Sequence, residues 1–361
     1  MFIGIDASSA AKEKKTGIDN TAYQIILNLQ KIDKTNIYYL YTNKPLPQEI
    51  RKNNNFVEKL IPMPRLWHKF RLPLALFKDK PDIFLELTNG IPAFAPTSSF
   101  VLIHDLAFKY FPEAYSKSEL IMQDYALDNS TKEAKKIIVT TNATKKDLQK
   151  FCKIEPNRIE VVSLGYDSNQ FKRLIKPVNP LKFKHPFFLY VGRLEARKNV
   201  INIVKAFNLL KDKISTDYKL VLIGTKGYGY DLINKEIALS KYKDDIIETG
   251  YIENKKLVNL MNLATCLLYP SLYEGFGLPI LEAFSCKTPV IVSNIETLKE
   301  VAGDGALIVN QNSPADISSK MFSILDDKKM RDNLVKSGTK RLKEYNWLNT
   351  ATKIHKILID E

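Results

Sequence analysis

The run Tyr269-Pro-Ser-Leu-Tyr-Glu-Gly-Phe-Gly-Leu-Pro-Ile-Leu-Glu-Ala-Phe-Ser285 does most to limit how this chain folds. Apolar residues lead into it as a buried strand, and those after Leu278 recur with helical spacing. At the junction stand Glu274, Gly275, Gly277 and Pro279. Glycine permits a tight turn and close approach of a ligand to the backbone. Proline fits the first turn of a helix, where its missing N–H is no loss. The amides of Phe276, Gly277 and Leu278 are then left without intrahelical acceptors, at the positive end of a helix dipole. That arrangement suits an anion, phosphate above all. Glu274 and Glu282 lie on either side of it. A carboxylate repels phosphate, so both acids are expected to serve hydroxyls. Phosphate between hydroxyl-binding acids suggests a sugar nucleotide.

The same strand-to-helix alternation runs through the rest of the chain. Phe2–Asp6, Ile37–Tyr41, Ile83–Leu87, Ser99–Ile103, Lys136–Thr140 and Ile159–Val162 read as strands of a first half. Phe187–Val191, Tyr218–Ile223, Ile246–Ile252, Cys266–Tyr269, Pro289–Val292 and Gly305–Val309 read as strands of a second. Helical periodicity fills most of the intervals. This predicts an α/β chain of two Rossmann-like, doubly wound domains facing each other across a cleft. Residues 1–170 form the first domain and 185–342 the second, with a charged, proline-containing linker at 171–184. Leu66–Phe77 reads as an amphipathic helix with Trp67, Phe70, Leu74 and Phe77 along one face and basic residues beside it. Core packing is the first reading of that face, ahead of a membrane contact.

Composition removes several function classes. The chain has 361 residues, 45% hydrophobic and 26% charged, so it is globular and too long for one ordinary core. Its three cysteines, Cys152, Cys266 and Cys286, are far apart in apolar runs and read as buried thiols. No apolar run is long enough to span a bilayer, and the first residues enter a strand with no leader-like pattern, so a cytoplasmic protein is expected. The net charge of +14 suits an anionic substrate or the inner face of an anionic membrane. Nucleic acid is not expected, because no recognition motif accompanies the charge. Neither an Asp-x-Asp pair nor a His/Cys cluster is present, so no metal and no cofactor are expected.

Arg193 and Lys198 stand at the turn after the Phe187–Val191 strand, where two cations can hold a diphosphate. His104-Asp105 and Thr88-Asn89-Gly90 close two strands of the first half. In an open parallel sheet, ligands collect at such strand ends.

These motifs together resemble the retaining, GT-B-type glycosyltransferases of family 4 (group 1), and within them bacterial mannosyltransferases. The resemblance rests on Glu274 and Glu282 with seven residues between them, on Tyr190-Val-Gly-Arg-Leu-Glu-Ala-Arg-Lys-Asn199 and on Ile103-His-Asp-Leu106. It implies transfer of a hexose, mannose favoured, from a nucleotide-diphosphate sugar such as GDP-mannose to a glycan or lipid-linked hydroxyl. It implies that Arg193 and Lys198 hold the diphosphate, that Glu282 takes the ribose hydroxyls and that Glu274 meets the moving sugar. The amides of Gly275, Phe276, Gly277 and Leu278 would support it, with His104 beside the sugar. Gly17 would close over the phosphates, and Tyr251 and Ile252 would lie by the base. Asn89 and Asp19 are the acceptor-side candidates. Related chains often have a second glycine near Gly17, where this one has Ile18-Asp19. The C-terminal helix, within 343–361, would cross back to the first domain. A sugar-nucleotide epimerase, a phosphorylase or a non-catalytic donor-binding partner are the alternatives on the same scaffold. A need for inorganic phosphate, donor conversion without acceptor, or binding without turnover would mark them.

Overall fold

The computed structural model describes residues 1–51, 54–63, 66–88 and 90–360. They form two compact units, Met1–Gly165 with Asn346–Glu361, and Tyr166–Tyr345.

The first unit runs β1 (Phe2–Asp6), α1 (Gly17–Ile32), β2 (Ile37–Thr42), α2 (Gln48–Arg51), β3 (Phe56–Leu60), α3 (Trp67–Asp79), β4 (Ile83–Glu86), β5 (Ser99–Ile103), α4 (Ala107–Tyr110), α5 (Lys117–Glu133), β6 (Lys136–Val139), α6 (Asn142–Cys152) and β7 (Ile159–Val161). Its parallel sheet has the order β3-β2-β1-β4-β5-β6-β7. The strand order therefore reverses between β1 and β4. Their residues are buried on both faces, which is why such strands read as unbroken apolar runs. The edge strand β3 is missed by pattern reading. Its sequence, Phe-Val-Glu-Lys-Leu, is mostly half-buried or exposed and carries no apolar run.

Helix α3 corrects another expectation. Trp67 is buried, but Phe70, Leu74 and Phe77 are exposed, and the inward residues are Leu72, Pro73 and Leu76. Trp67, Leu72 and Leu76 pack with Tyr41 and Phe84. Apolar residues occur on both sides of this helix, so periodicity alone does not say which stripe meets the core.

The second unit runs β8 (Phe187–Val191), α7 (Val200–Lys211), β9 (Lys219–Ile223), α8 (Tyr230–Leu239), β10 (Ile246–Gly250), α9 (Asn254–Leu263), β11 (Cys266–Tyr269), α10 (Leu278–Ser285), β12 (Val290–Ser293), α11 (Glu296–Ala302), β13 (Ala306–Val309), α12 (Pro314–Asp326) and α13 (Lys328–Arg341). Its sheet, also parallel, has the order β10-β9-β8-β11-β12-β13, reversing between β8 and β11. Phe188, Tyr190, Phe207, Leu268 and Met321 build its core. Residues expected to be a linker are fastened to this unit. Leu174 N donates to Asn262 Oδ1 at 2.8 Å, and Val178 N to Asn259 Oδ1 at 2.8 Å.

The last helix, α14 (Trp347–Ile359), packs with the first unit. Thr350 Oγ1 donates to Ser163 O at 2.8 Å, and His355 Nε2 lies 2.8 Å from Asp33 Oδ2. Gly165 allows the approach, since a Cβ there would fall 2.1 Å from Trp347 N. Among the described residues, no helix is long and apolar enough to cross a membrane.

Candidate active site

The reversal of strand order in the second sheet sets the carboxyl ends of β8 and β11 side by side, the place where open α/β sheets bind ligands. After β8 the chain turns through a short 3-10 segment, Ala196–Lys198, into α7. After β11 it passes through residues 270–277 into α10. Backbone and side chains join the two turns. Leu272 N donates to Arg197 O at 2.9 Å, Arg197 Nη1 to Tyr273 O at 3.1 Å, and Asn199 Nδ2 to Pro270 O at 3.0 Å.

Charge is concentrated at this junction. Lys198 Nζ lies 2.5 Å from Glu274 Oε1, which also accepts from Ser271 Oγ at 2.8 Å. Arg197 stands between two acids, 2.9 Å from Glu195 Oε1 and 3.8 Å from Glu274 Oε2. Lys198 further lies 5.6 Å from the centre of the Tyr269 ring, within cation–π range. Burial pushes the Glu274 carboxyl up, but the Lys198 and Arg197 charges and the two hydrogen bonds hold it below its ordinary value. Burial lowers Lys198, with Glu274 opposing. A buried charge pair of this kind fixes geometry more than it stabilises the fold. Arg193 differs: its side chain is 62% exposed, with Nε 3.5 Å from Glu195 Oε2.

Gly277 caps α10 at φ 103, a conformation side chains avoid, and a Cβ there would meet Leu298 at 3.0 Å. Among the described residues, the amides of Phe276, Gly277 and Leu278 have no hydrogen-bond acceptor. Gly275, Phe276 and Gly277 are buried and Leu278 is half-buried. In the second turn of α10, Glu282 is half-buried, and its carboxylate has no hydrogen-bond or ion-pair partner among the described residues. Burial, with the charge of Asp167 adding to it, pushes its carboxyl up to about 8. Tyr251 and Ile252 follow Gly250 at the end of β10, exposed and half-buried respectively.

In the first unit, His104 follows β5 and its Nε2 lies 2.9 Å from Leu87 O. A carbonyl only accepts, so that contact assigns the proton to Nε2 and leaves Nδ1 an acceptor. Burial lowers the His104 pKa, opposed by Leu87 O, Asp105 and Asp19. Gly17 opens α1 with nothing within 4 Å of a Cβ, so packing within the protein does not demand glycine there. Asp19 has a structural task. Its carboxylate closes a capping box on Thr16 and pairs with Lys12 at 2.8 Å. Asn89 lies outside the described residues.

The sequence reading missed Arg197, although it stands inside the quoted motif, because surface and buried arginines look alike in a sequence. It also missed Asp6, His68 and Glu86, whose ligating atoms all lie within 4.8 Å of one another. Asp6 and Glu86 end β1 and β4 at the reversal of the first sheet, so the rule that singled out His104 applies to them. His68 Nε2 lies 3.1 Å from Glu86 Oε2. Burial and the Glu86 charge push Asp6 up to about 7. Burial lowers His68, but Glu86 and Asp6 outweigh it and raise it.

A sequence profile described as glycosyl transferases group 1 matches residues 171–341, and one described as glycosyltransferase family 4 matches residues 17–170. The chain belongs to this glycosyltransferase family. The O-antigen chain mannosyltransferase B of Escherichia coli is 29% identical over 298 residues, covering 81% of this chain and 78% of that protein. The O-antigen chain mannosyltransferase RfbU of Salmonella typhimurium is 28% identical over 225 residues, covering 62% and 60%. The sucrose-phosphate synthase of Thermosynechococcus elongatus shares the fold, with a TM-score of 0.78 at 18% identity over 99% and 98% of the two chains. The protein is thus a transferase enzyme of GT-B fold. The β8–β11 junction is the candidate donor site of this transferase.

Proposed function

We propose that this glycosyltransferase moves mannose from GDP-mannose to a hydroxyl of a growing or lipid-linked polysaccharide, with retention of anomeric configuration and without a metal. It works in this reading at the cytoplasmic face of an anionic membrane. The observation that carries the donor assignment is the junction of Arg193, Arg197, Lys198 and Glu274 beside the open amides before α10, with Glu282 unpartnered one turn on. Three cations against Glu195 and Glu274 leave one net positive charge, which with the helix N-terminus favours a leaving diphosphate, and in this reading no Mg²⁺ takes part. Glu282 is left to the ribose hydroxyls, which a carboxylate binds in pairs. The amides of Gly275, Phe276, Gly277 and Leu278 serve phosphate and sugar, and Tyr251 and Ile252 the base. Gly17 leaves room for phosphate. The neutral imidazole of His104 offers Nδ1 to a sugar hydroxyl.

Retention is what the resemblance to the retaining family implies, and front-face displacement is the route to it favoured here over double displacement through Glu274. Glu274 is held by Lys198 and Ser271, so it is poorly placed to attack the anomeric carbon. The leaving phosphate and the acceptor then share one face of the sugar, and orientation lowers the barrier. Mannose rests on the names of the two bacterial relatives.

Thermal-shift and turnover measurements with GDP-, UDP- and dTDP-sugars test the donor. Stabilisation by GDP-mannose alone is expected, and a response to UDP-sugars only defeats the mannose assignment. Turnover is expected to survive EDTA, and loss restored by Mg²⁺ overturns the metal-free reading. NMR of the product's anomeric centre checks retention.

A further inference from the structure

The side of α3 turned away from the core is apolar. Phe70, Leu74 and Phe77 are 55%, 59% and 61% exposed, and Leu66, the residue before the helix, is 54% exposed. Phe94, 63% exposed, lays its ring 5.5 Å from that of Phe77. Single apolar residues on a surface are ordinary. Here five bulky ones fall on one helix, its N-cap and one adjoining loop. Leu66 and Phe94 have left-handed backbone, with φ 55 and 59. Bulky side chains avoid that region. At Leu66 that backbone starts the helix, its carbonyl accepting from the amides of Lys69 and Phe70, while the side chain is left in water.

The surrounding charge selects the partner. Lys69, Arg71, Lys78 and Lys80 are exposed along the same helix and its C-cap. The one acid of α3, Asp79, is already engaged by Lys59 at 3.5 Å and by the Tyr41 hydroxyl at 3.2 Å. An apolar stripe bordered by cations matches an anionic lipid surface, where rings enter the acyl boundary and ammonium groups meet phosphates. A second copy of a chain with net charge +14 brings like charge against like.

We infer that α3 and Phe94 form a peripheral docking face for an anionic phospholipid surface. The inference deepens the proposed function, since it names the face by which a transferase with a lipid-linked acceptor reaches the membrane. Flotation of the full chain with phosphatidylcholine vesicles holding about one-third phosphatidylglycerol tests it. The chain is expected to float with these vesicles, to be released by high salt and to ignore pure phosphatidylcholine. Combined Phe70→Ser, Leu74→Ser and Phe77→Ser substitution is expected to cut partitioning at least about tenfold. Unchanged circular dichroism, melting and turnover of a soluble acceptor would show that this variant still folds. The control is Ile121→Ser, Met122→Ser and Tyr125→Ser on α5, whose exposed apolar side chains are not part of the proposed face. It is expected to float like the wild type.

Failure of the wild type to prefer anionic vesicles overturns the inference, as does undiminished flotation of the α3 variant. A drop in oligomeric mass of the α3 variant assigns the face to a second copy instead, and so overturns it too. Turnover in solution, measured without vesicles, tests the donor reading separately from the lipid one.

Discussion

Arg193 and Lys198 carry the same charge in opposite surroundings, and their substitutions should part accordingly. Arg193 is mostly in water, so Arg193→Ala should leave the melting temperature nearly unchanged while lowering kcat/KM about 10²-fold or more. Lys198→Ala should lower turnover and also cost about 3–5 kcal/mol of stability, because it strands the buried Glu274 carboxylate. Parallel melting curves and initial rates check both, and normal turnover in both variants removes these residues from the mechanism. Glu282 makes a pH prediction. Its folded value of about 8 stands above the ordinary 4.5. The folded chain therefore keeps a proton that the unfolded chain has released, and stability should fall as pH rises from 4.5 toward 8. Nucleotide binding should run the other way. If the ribose takes the ionised carboxylate, affinity rises about tenfold per pH unit up to the pKa. Calorimetric titration of GDP across this range should show the slope, and Glu282→Gln should flatten it.

At the scale of the element, the start of α10 is the most constrained feature of the second unit. Its cap at Gly277 requires both a left-handed backbone and the absence of a Cβ. Gly277→Ala should cost about 1–3 kcal/mol, read as a lower midpoint in urea unfolding, and should weaken donor binding by moving the amides. A melting point equal to the wild type would show that the turn adapts. Helix α3 gives the opposite lesson. Its existence is plain from periodicity, but its two apolar stripes compete for the core. Leu72 and Leu76 pack inward, and Phe70, Leu74 and Phe77 stay outside.

At the scale of the whole molecule, the chain leaves the first unit at Gly165 and rejoins it at Asn346. Helix α14 buries Trp347, Ala351, Ile354 and Leu358, and its contacts with α1 are extensive. Trp347, Ile354 and Leu358 each contribute roughly 1.5–3 kcal/mol, and together they are comparable with the lower end of a domain's stability. Truncation before Asn346 should therefore unfold the first unit while the second keeps its structure, as hydrogen exchange resolved by peptide would show. Uniform protection in the truncated chain would contradict this. Much of the fold was legible in the sequence, since apolar runs, helical periods and glycine–proline junctions are local signals. The strand–glycine–helix turn before α10, the polar ends of parallel strands and the family resemblance all follow from residues close together in the chain. Tertiary structure alone decided which stripe of α3 meets water, and that Asp6, His68 and Glu86 gather at one place. It also decided that Glu274 belongs to Lys198, 76 positions away, with Arg197 beside them. The physical reason is that burial and charge pairing are properties of contacts between distant segments, and no local pattern encodes which segments the sheet order will bring together.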